Sequence, residues 1–222
     1  MGKVVSIVSS NRVKGNSDTI VNKIMMGAMC ISTNTFSLHY LCKKHARGCL
    51  GCMKCKKAGG CVIADDLTEV LEDIRTADSL IVSTPVYFNQ KSWAYRMFED
   101  RLFSFIGDDG ISTLPPGKEL IIVVTYSDSY DEAVAIADHI ESMMVGIFKF
   151  NMVGMIIYCD HGNLDSASKD ENICEVACKF GASLSVAKPF NTFVVSIPES
   201  DARRGSNRMP IGFVWKSKNE NE

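Results

Sequence analysis

The sequence predicts an α/β protein built on a parallel sheet with helices on both faces. Three observations carry this. Short runs rich in β-branched and aliphatic residues, at positions 3–9, 34–41, 79–83, 119–125 and 151–159, alternate with longer segments of helical period. The third run, 79–83, is fully apolar at its centre, and 3–9 sets β-branched residues beside small ones, as expected of strands buried on both faces. The 222 residues, 46% hydrophobic and 23% charged, have the composition of an ordinary globular domain and exclude a collagen-like, coiled-coil or disordered chain.

Each element follows from its local pattern. Residues 3–9 read as a first buried strand, and 10–15 as a polar turn. Residues 17–29 form a helix with Ile20, Val21, Ile24, Met25 and Ala28 on one face, with Asn16 as its N-cap. Residues 34–41 are the second strand. Asp65 or Asp66 caps a helix reaching about Ala77, whose apolar face is Leu67, Val70, Leu71 and Ile74. The third strand, 79–83, leads through a loop at 84–90 to a helix at 91–105. The fourth strand, 119–125, precedes an amphipathic helix at 131–149. The fifth strand, 151–159, precedes a helix at 169–186. A short strand at 192–197 and a polar tail at 198–222, with Arg203, Arg204 and Arg208, complete the chain. A five-stranded flavodoxin-like sheet and a Rossmann half-unit both fit. In either, ligands bind beyond the carboxyl ends of the strands.

Charge and hydropathy narrow the function. The formal net charge of -2 leaves no global basic field for nucleic acid or anionic lipid. No apolar run is long enough to span a bilayer, and the start lacks a signal-peptide pattern, so a cytoplasmic protein is expected.

Three segments carry the chemistry. The loop after the first strand, SSNRVKGNS, offers the hydroxyls of Ser9, Ser10 and Ser17, the amide of Asn16, the guanidinium of Arg12 and a helix N-terminus. That donor set suits a monophosphate. It is neither G-x-G-x-x-G nor a Walker loop, and the same residues would also serve an ordinary capped turn. After the third strand, STPVYFN places Tyr87 and Phe88 beside a stiff Thr84-Pro85-Val86 backbone. This suits a flat ring system, or simple packing against the next helix.

The sharpest signal is cysteine. Nine are present, four of them at Cys49, Cys52, Cys55 and Cys61, in the spacing C-x2-C-x2-C-x5-C. In a reducing compartment such a cluster reads as metal-binding or redox-active rather than disulfide-forming. Two-residue gaps can turn successive thiolates around one iron–sulfur cubane, and Lys54, Lys56 and Lys57 could offset its charge. A four-cysteine zinc site, whose usual pattern is two separated C-x2-C knuckles, and a metal-free loop are the alternatives. Cys30, Cys42, Cys159, Cys174 and Cys178 read as scattered buried thiols.

Taken in this order, SSNRVKGNS, CLGCMKCKKAGGC and STPVYF resemble the iron–sulfur flavoprotein family, within the wider group of NADPH-dependent FMN reductase and flavodoxin-like proteins. The resemblance spans residues 3 to 160. It implies a flavodoxin-like three-layer sandwich with strand order 2-1-3-4-5, a cysteine-rich loop after strand 2, bound FMN and an adjacent [4Fe–4S] cluster. It assigns Ser10, Arg12, Asn16 and Ser17 to the FMN phosphate. It assigns Thr84, Pro85, Val86, Tyr87, Phe88 and Asn89 to the isoalloxazine ring, with Tyr87 and Asn89 as flavin-tuning candidates. Cys49, Cys52, Cys55 and Cys61 become the cluster ligands. The implied activity is electron transfer from a one-electron donor such as ferredoxin, through the cluster, to FMN and on to an acceptor, in a homodimer or homotetramer. An NAD(P)H-dependent FMN or quinone reductase and a zinc-bound interaction module are the other readings. Two departures stand out: Ser9 and Asn11 replace the Gly and Pro of the family's first loop, and Asn89 stands where a Gly often follows PVYF. The expected division is an FMN-binding domain at 1–187 and an extension at 188–222, the latter packed on the surface or on a partner subunit.

Overall fold

The computed structural model describes residues 2–31, 34–160, 164–184 and 213–214. In chain order the elements are β1 (Lys3–Val8), α1 (Asn16–Ile31), β2 (Thr35–Tyr40), α2 (Cys55–Ala58), α3 (Leu67–Thr76), β3 (Ser79–Tyr87) and β4 (Gln90–Lys91). They continue with α4 (Trp93–Arg101), β5 (Glu119–Tyr126), α5 (Tyr130–Gly146), β6 (Asn151–Cys159), α6 (Ser166–Lys169), α7 (Glu171–Ser183) and β7 (Phe213–Val214). Single 3-10 turns follow β2 at Leu41–Lys43 and α4 at Leu102–Phe105.

The parallel strands run in the order β2-β1-β3-β5-β6, which is 2-1-3-4-5 counted along the parallel set. This is the flavodoxin-like arrangement. Two antiparallel pieces extend it: β4 folds back on β3, and β7 pairs with β6 at Met155↔Val214 and Ile156↔Phe213. The strand expected at 192–197, and the rest of the extension apart from β7, lie outside the described residues.

Strand alternation divides the core in two. Val5, Ile7, Leu80, Val82, Leu120, Ile122 and Val124 face α3, α4 and α5. Val4, Val8, Ile81, Ile121, Val123 and Ile156 face α1 and α7. On the second face the helices pack backbone to backbone. A Cβ on Gly27 would sit 1.9 Å from the Cys178 carbonyl oxygen, and one on Gly181 would sit 1.7 Å from that of Ile24.

Helix starts differ from expectation in instructive ways. Gly15, not Asn16, supplies the carbonyl that accepts the first helical bond of α1, from the Thr19 N–H at 2.9 Å. At α3 the two aspartates divide the work. Asp65 accepts from the Leu67 N–H at 3.1 Å, while Asp66 turns back to the His45 N–H at 2.6 Å. The helix expected at 91–105 is α4 followed by the 3-10 turn, and it begins only after a hairpin.

Candidate functional site

Because β1 and β3 are parallel neighbours in register at Val8↔Ser83, the loops that leave them emerge side by side at one sheet edge. The polar loop after β1 is fixed from beneath. The Ser9 hydroxyl donates to the Ser83 carbonyl at 2.9 Å and lies 2.8 Å from the Ser92 hydroxyl, which donates to it. Ser92 caps α4 by accepting from the Tyr95 N–H, and its own N–H donates to the Thr84 hydroxyl at 3.1 Å. Ser9 thus joins the loop after β1 and the end of β3 to the start of α4.

Above this anchor the Ser10 hydroxyl accepts from the Arg12 N–H at 3.2 Å, and Arg12 itself is exposed. Lys14 adopts φ 62°, and its N–H donates to the buried Asp18 carboxylate at 2.6 Å. Asp18 also accepts from the Tyr40 hydroxyl at 2.8 Å. The turn that Pro would have pre-set is therefore held by a buried acid in the first turn of α1. Ser17 lies 2.7 Å from the Thr125 hydroxyl at the end of β5. Asn16 is engaged across the site: its amide NH2 donates to Asp160 and its amide oxygen accepts from the Ala167 N–H.

The segment 84–90, expected as a loop, is strand up to Tyr87 and then a two-residue hairpin. Pro85 is tolerated because of where its missing N–H would point. Ser83 directs its carbonyl to β1, accepting from the Ser9 N–H, and Pro85 faces the same side two residues on, after the β1 ladder has ended. Tyr87↔Gln90 closes the hairpin, with Phe88 at φ 49° and Asn89 at φ 57°. Positive φ at both central residues is the type I′ geometry, which matches strand twist and usually recruits Asn and Gly. Thr84, Pro85 and Val86 are buried, Tyr87 is 41% exposed and Phe88 is 99% exposed. Asn89 is pinned: it donates to Glu132 at 2.7 Å and accepts from the Tyr126 hydroxyl at 2.9 Å. Burial, with Glu132 and Asp128, raises the Tyr126 pKa, so this donor stays protonated at neutral pH.

The cysteine segment leaves the sheet beside the first loop. Cys42 donates its thiol to the Ser10 carbonyl at 3.2 Å. Cys49 and Cys52 are exposed, and Cys55 and Cys61 are half-buried. Gly51 and Met53 take left-handed conformations, and the Gly51 N–H lies 3.4 Å from the Cys49 sulfur. Among the described residues no three metal-ligating side chains converge, so the four thiols lie along one segment without closing on a common centre. All four are free thiols, as are the other five. Burial, then Asp160 and Asp128, push the Cys159 thiol up to about 12, which keeps it protonated and sets it apart from a ligand set.

Residues 2–156 match the family model described as NADPH-dependent FMN reductase. The chain belongs to the NADPH-dependent FMN reductase family. An iron–sulfur flavoprotein of Methanocaldococcus jannaschii is 36% identical over 101 residues, 45% of this chain and 51% of that protein. An iron–sulfur flavoprotein of Methanosarcina thermophila is 28% identical over 99 residues, again 45% and 51%. The matched region is thus about half the length of these relatives. Among solved structures, an NAD(P)H:quinone oxidoreductase from Methanothermobacter marburgensis superposes with a TM-score of 0.64 at 17% identity, over 83% of this chain and 99% of that one. It has the same fold.

Family membership makes FMN the group to test against this member's sheet edge, and the edge fits it. It presents hydroxyls, a guanidinium and a helix N-terminus on one loop and exposed aromatics on the adjacent hairpin. The cysteine segment fits a thiolate-ligated metal group by its donor chemistry: four free thiols on one short segment.

One expected contributor lies elsewhere, and one was not foreseen from sequence. Lys56, expected near the cysteines, donates to the Phe103 carbonyl at 3.0 Å and sits 3.6 Å over the Phe103 ring. The cation beside Cys61 is instead the buried Arg101, paired at 2.8 Å with Asp65. Forty residues separate Arg101 from Cys61, so no local motif could have revealed it. Between the hairpin and α5 lies a cavity of about 290 Å³ lined by Asn89, Lys91, Arg96, Glu132 and His139.

Proposed function

We propose that the chain is an FMN-dependent, cytoplasmic electron-transfer flavoprotein. FMN would be held by Ser10, Arg12, Asn16 and Ser17 and by the hairpin of Thr84, Pro85, Val86, Tyr87, Phe88 and Asn89. A [4Fe–4S] cluster would be held by Cys49, Cys52, Cys55 and Cys61. The observation that carries this reading is the Cys42–Ser10 bond, which ties the turn leading from β2 into the cysteine segment to the loop after β1. When bound, FMN exchanges one or two electrons and the cluster one at a time, so together they couple a one-electron donor such as ferredoxin to a two-electron acceptor.

The chain's own part is positioning. Arg12 supplies a positive charge and a fork of donors to a phosphate. Asp18 holds the loop in the turn that aims backbone N–H groups at it. Tyr126 and Glu132 fix the Asn89 amide, leaving it one orientation at the ring edge. Phe88 and Tyr87 offer aromatic faces that would cover a bound ring. Buried Thr84, Pro85 and Val86 keep the strand end rigid. A homodimer or homotetramer is the expected assembly.

The test is the iron, sulfide and flavin content of protein purified without oxygen, together with its visible spectrum. About four irons and four sulfides per chain with bound flavin are expected. Zinc without iron or sulfide would overturn the cluster assignment, and protein that takes up no FMN would overturn the flavin assignment.

The cavity beside the hairpin supports a second reading, an NAD(P)H-dependent FMN or quinone reductase. His139 and the part-exposed Arg96, itself paired with Glu99 and Asp100, could receive a pyridine nucleotide phosphate next to the ring loop, while the buried Lys91 is held by Glu99 at 2.6 Å. Flavin bleaching on anaerobic mixing with NADPH supports it; an unchanged spectrum sinks it.

A further inference from the structure

Arg101 ends α4, and its side chain is fully buried. A buried guanidinium is tolerated only when its donors are satisfied. Its partners here are unusual in their placement. One terminal nitrogen donates to the Arg47 carbonyl at 2.9 Å and to the Asp65 carboxylate at 2.8 Å. The other donates to the Ile63 carbonyl at 3.2 Å. Arg47 lies two residues before Cys49, and Ile63 lies two residues after Cys61. One planar group therefore grips both ends of the cysteine segment. Asp65 reinforces the grip, because the same oxygen that meets Arg101 also accepts from the Arg47 N–H at 3.2 Å. The Nε–H is buried without an oxygen or nitrogen acceptor, and the Cys61 side chain lies beside the guanidinium. Between the two ends the segment is tied at two further points, by Arg75 donating to the Gly59 carbonyl at 3.0 Å and by Lys56 donating to the Phe103 and Ile106 carbonyls.

We propose that Arg101 is a positioning residue for the cysteine site: it clamps residues 47 and 63 together whether or not a metal group is present, and it sets a buried positive charge beside Cys61. This rests on the cluster reading given above. The role follows from geometry. A fifteen-residue excursion whose ends are already joined needs only to close its middle to bring four thiols together, which removes most of the loop-closure entropy from that step. The charge acts separately. A cation next to one ligand sulfur favours the more negative, reduced form of a bound cluster.

The test uses the full chain as Arg101→Met, Arg101→Lys and Asp65→Asn. In metal-free protein, amide hydrogen exchange over residues 47–65 should be about 100-fold faster in Arg101→Met, as expected when one partner of a buried, hydrogen-bonded ion pair is removed. FMN affinity, which depends on other loops, should stay within about twofold. Arg101→Lys keeps the charge but cannot span both carbonyls, so exchange should recover only in part. After anaerobic reconstitution with iron and sulfide, the cluster potential should fall in Arg101→Met and return in Arg101→Lys, a pattern that a merely structural residue would not give. Wild-type exchange rates in Arg101→Met would overturn the clamp. If that variant does not fold, Asp65→Asn decides: exchange about tenfold faster at 47–65 supports the clamp, and unchanged exchange overturns it. Wild-type protein that takes up no iron would remove the cluster reading alone, since the exchange comparison needs no metal.

Discussion

Phe88 is the most exposed large apolar residue in the described chain, at 99%, and it sits at φ 49°, a conformation that side chains other than Gly and Asn rarely adopt. Phe88→Gly separates strain from function. Holding a non-glycine residue in the left-handed region costs about 1–2 kcal/mol. Glycine loosens the unfolded chain by about 0.5–1 kcal/mol. A side chain this exposed forfeits essentially no burial. The flavin-free variant should therefore gain about 0.5–1 kcal/mol, a rise of about 2 °C in Tm for a domain of this size. With FMN the ordering should change. Loss of one aromatic face is worth about 0.5–1.5 kcal/mol, so FMN should bind about 2–13-fold more weakly, and about tenfold at the upper end of that range. At an FMN concentration 100 times the wild-type Kd, ligand stabilises wild type by about 2.7 kcal/mol and the variant by about 1.4 kcal/mol. That difference cancels or exceeds the gain in the empty protein. Thermal unfolding with and without FMN reads both effects. A lower Tm in the flavin-free variant would refute the strain argument. An equal shift on adding FMN would refute a role for Phe88 at the ring.

Other consequences can be checked on the same protein. Arg12→Ala should weaken FMN by about 10–150-fold, the worth of one charge-assisted phosphate contact, measured by fluorescence quenching at low salt; unchanged affinity would remove Arg12 from the site. Gly181→Ala should destabilise by about 1–3 kcal/mol because the new Cβ meets the Ile24 carbonyl, whereas Gly146→Ala, with nothing within 4 Å, should stay within about 1 kcal/mol by urea unfolding. Burial pushes the Asp73 carboxyl up, but Lys3, His39 and Ser37 outweigh it and hold the carboxyl below its ordinary value. Its contribution to stability is thus fully present above the unfolded aspartate value of about 3.9 and is lost as pH falls through the lower folded value. Asp73→Asn should lower stability near pH 7 and flatten the acid limb in that window; an unchanged limb would discount this network.

The parallel sheet was legible because a strand buried on both faces has few residue choices: Ile81, Val82, Ile121 and Val123 could hardly lie elsewhere. The hairpin was not, because Phe-Asn is poor I′ turn chemistry and only the folded neighbourhood enforces it. The Tyr126–Asn89–Glu132 bonds that help to do so come from elements more than thirty residues away. Asn16 illustrates a second blind spot. Its type suited an N-cap, yet Gly15 already gives the helix its first acceptor, and the Asn16 amide instead reaches the far end of β6 and α6. The cysteine spacing was plain in the sequence, whereas the charge beside it was misplaced. A lysine next to a cysteine in sequence has a long, flexible stem and turned to carbonyls near Phe103. The buried guanidinium comes from another helix.

That helix relates the two halves of the candidate site. Ser92 at the start of α4 bonds the loop after β1 and the end of β3, and Arg101 at its end bonds both flanks of the cysteine segment. Nine residues of helix place these two anchors about 14 Å apart along the axis. A hydrogen-bonded helix packed through Tyr95 and Phe98 does not stretch, so the spacing between ring loop and cysteine segment is set by backbone geometry rather than by the flexible residues that would touch either group. Replacing a thiol should therefore leave the flavin loops undisturbed. Loosening α4 itself should disturb both ends at once.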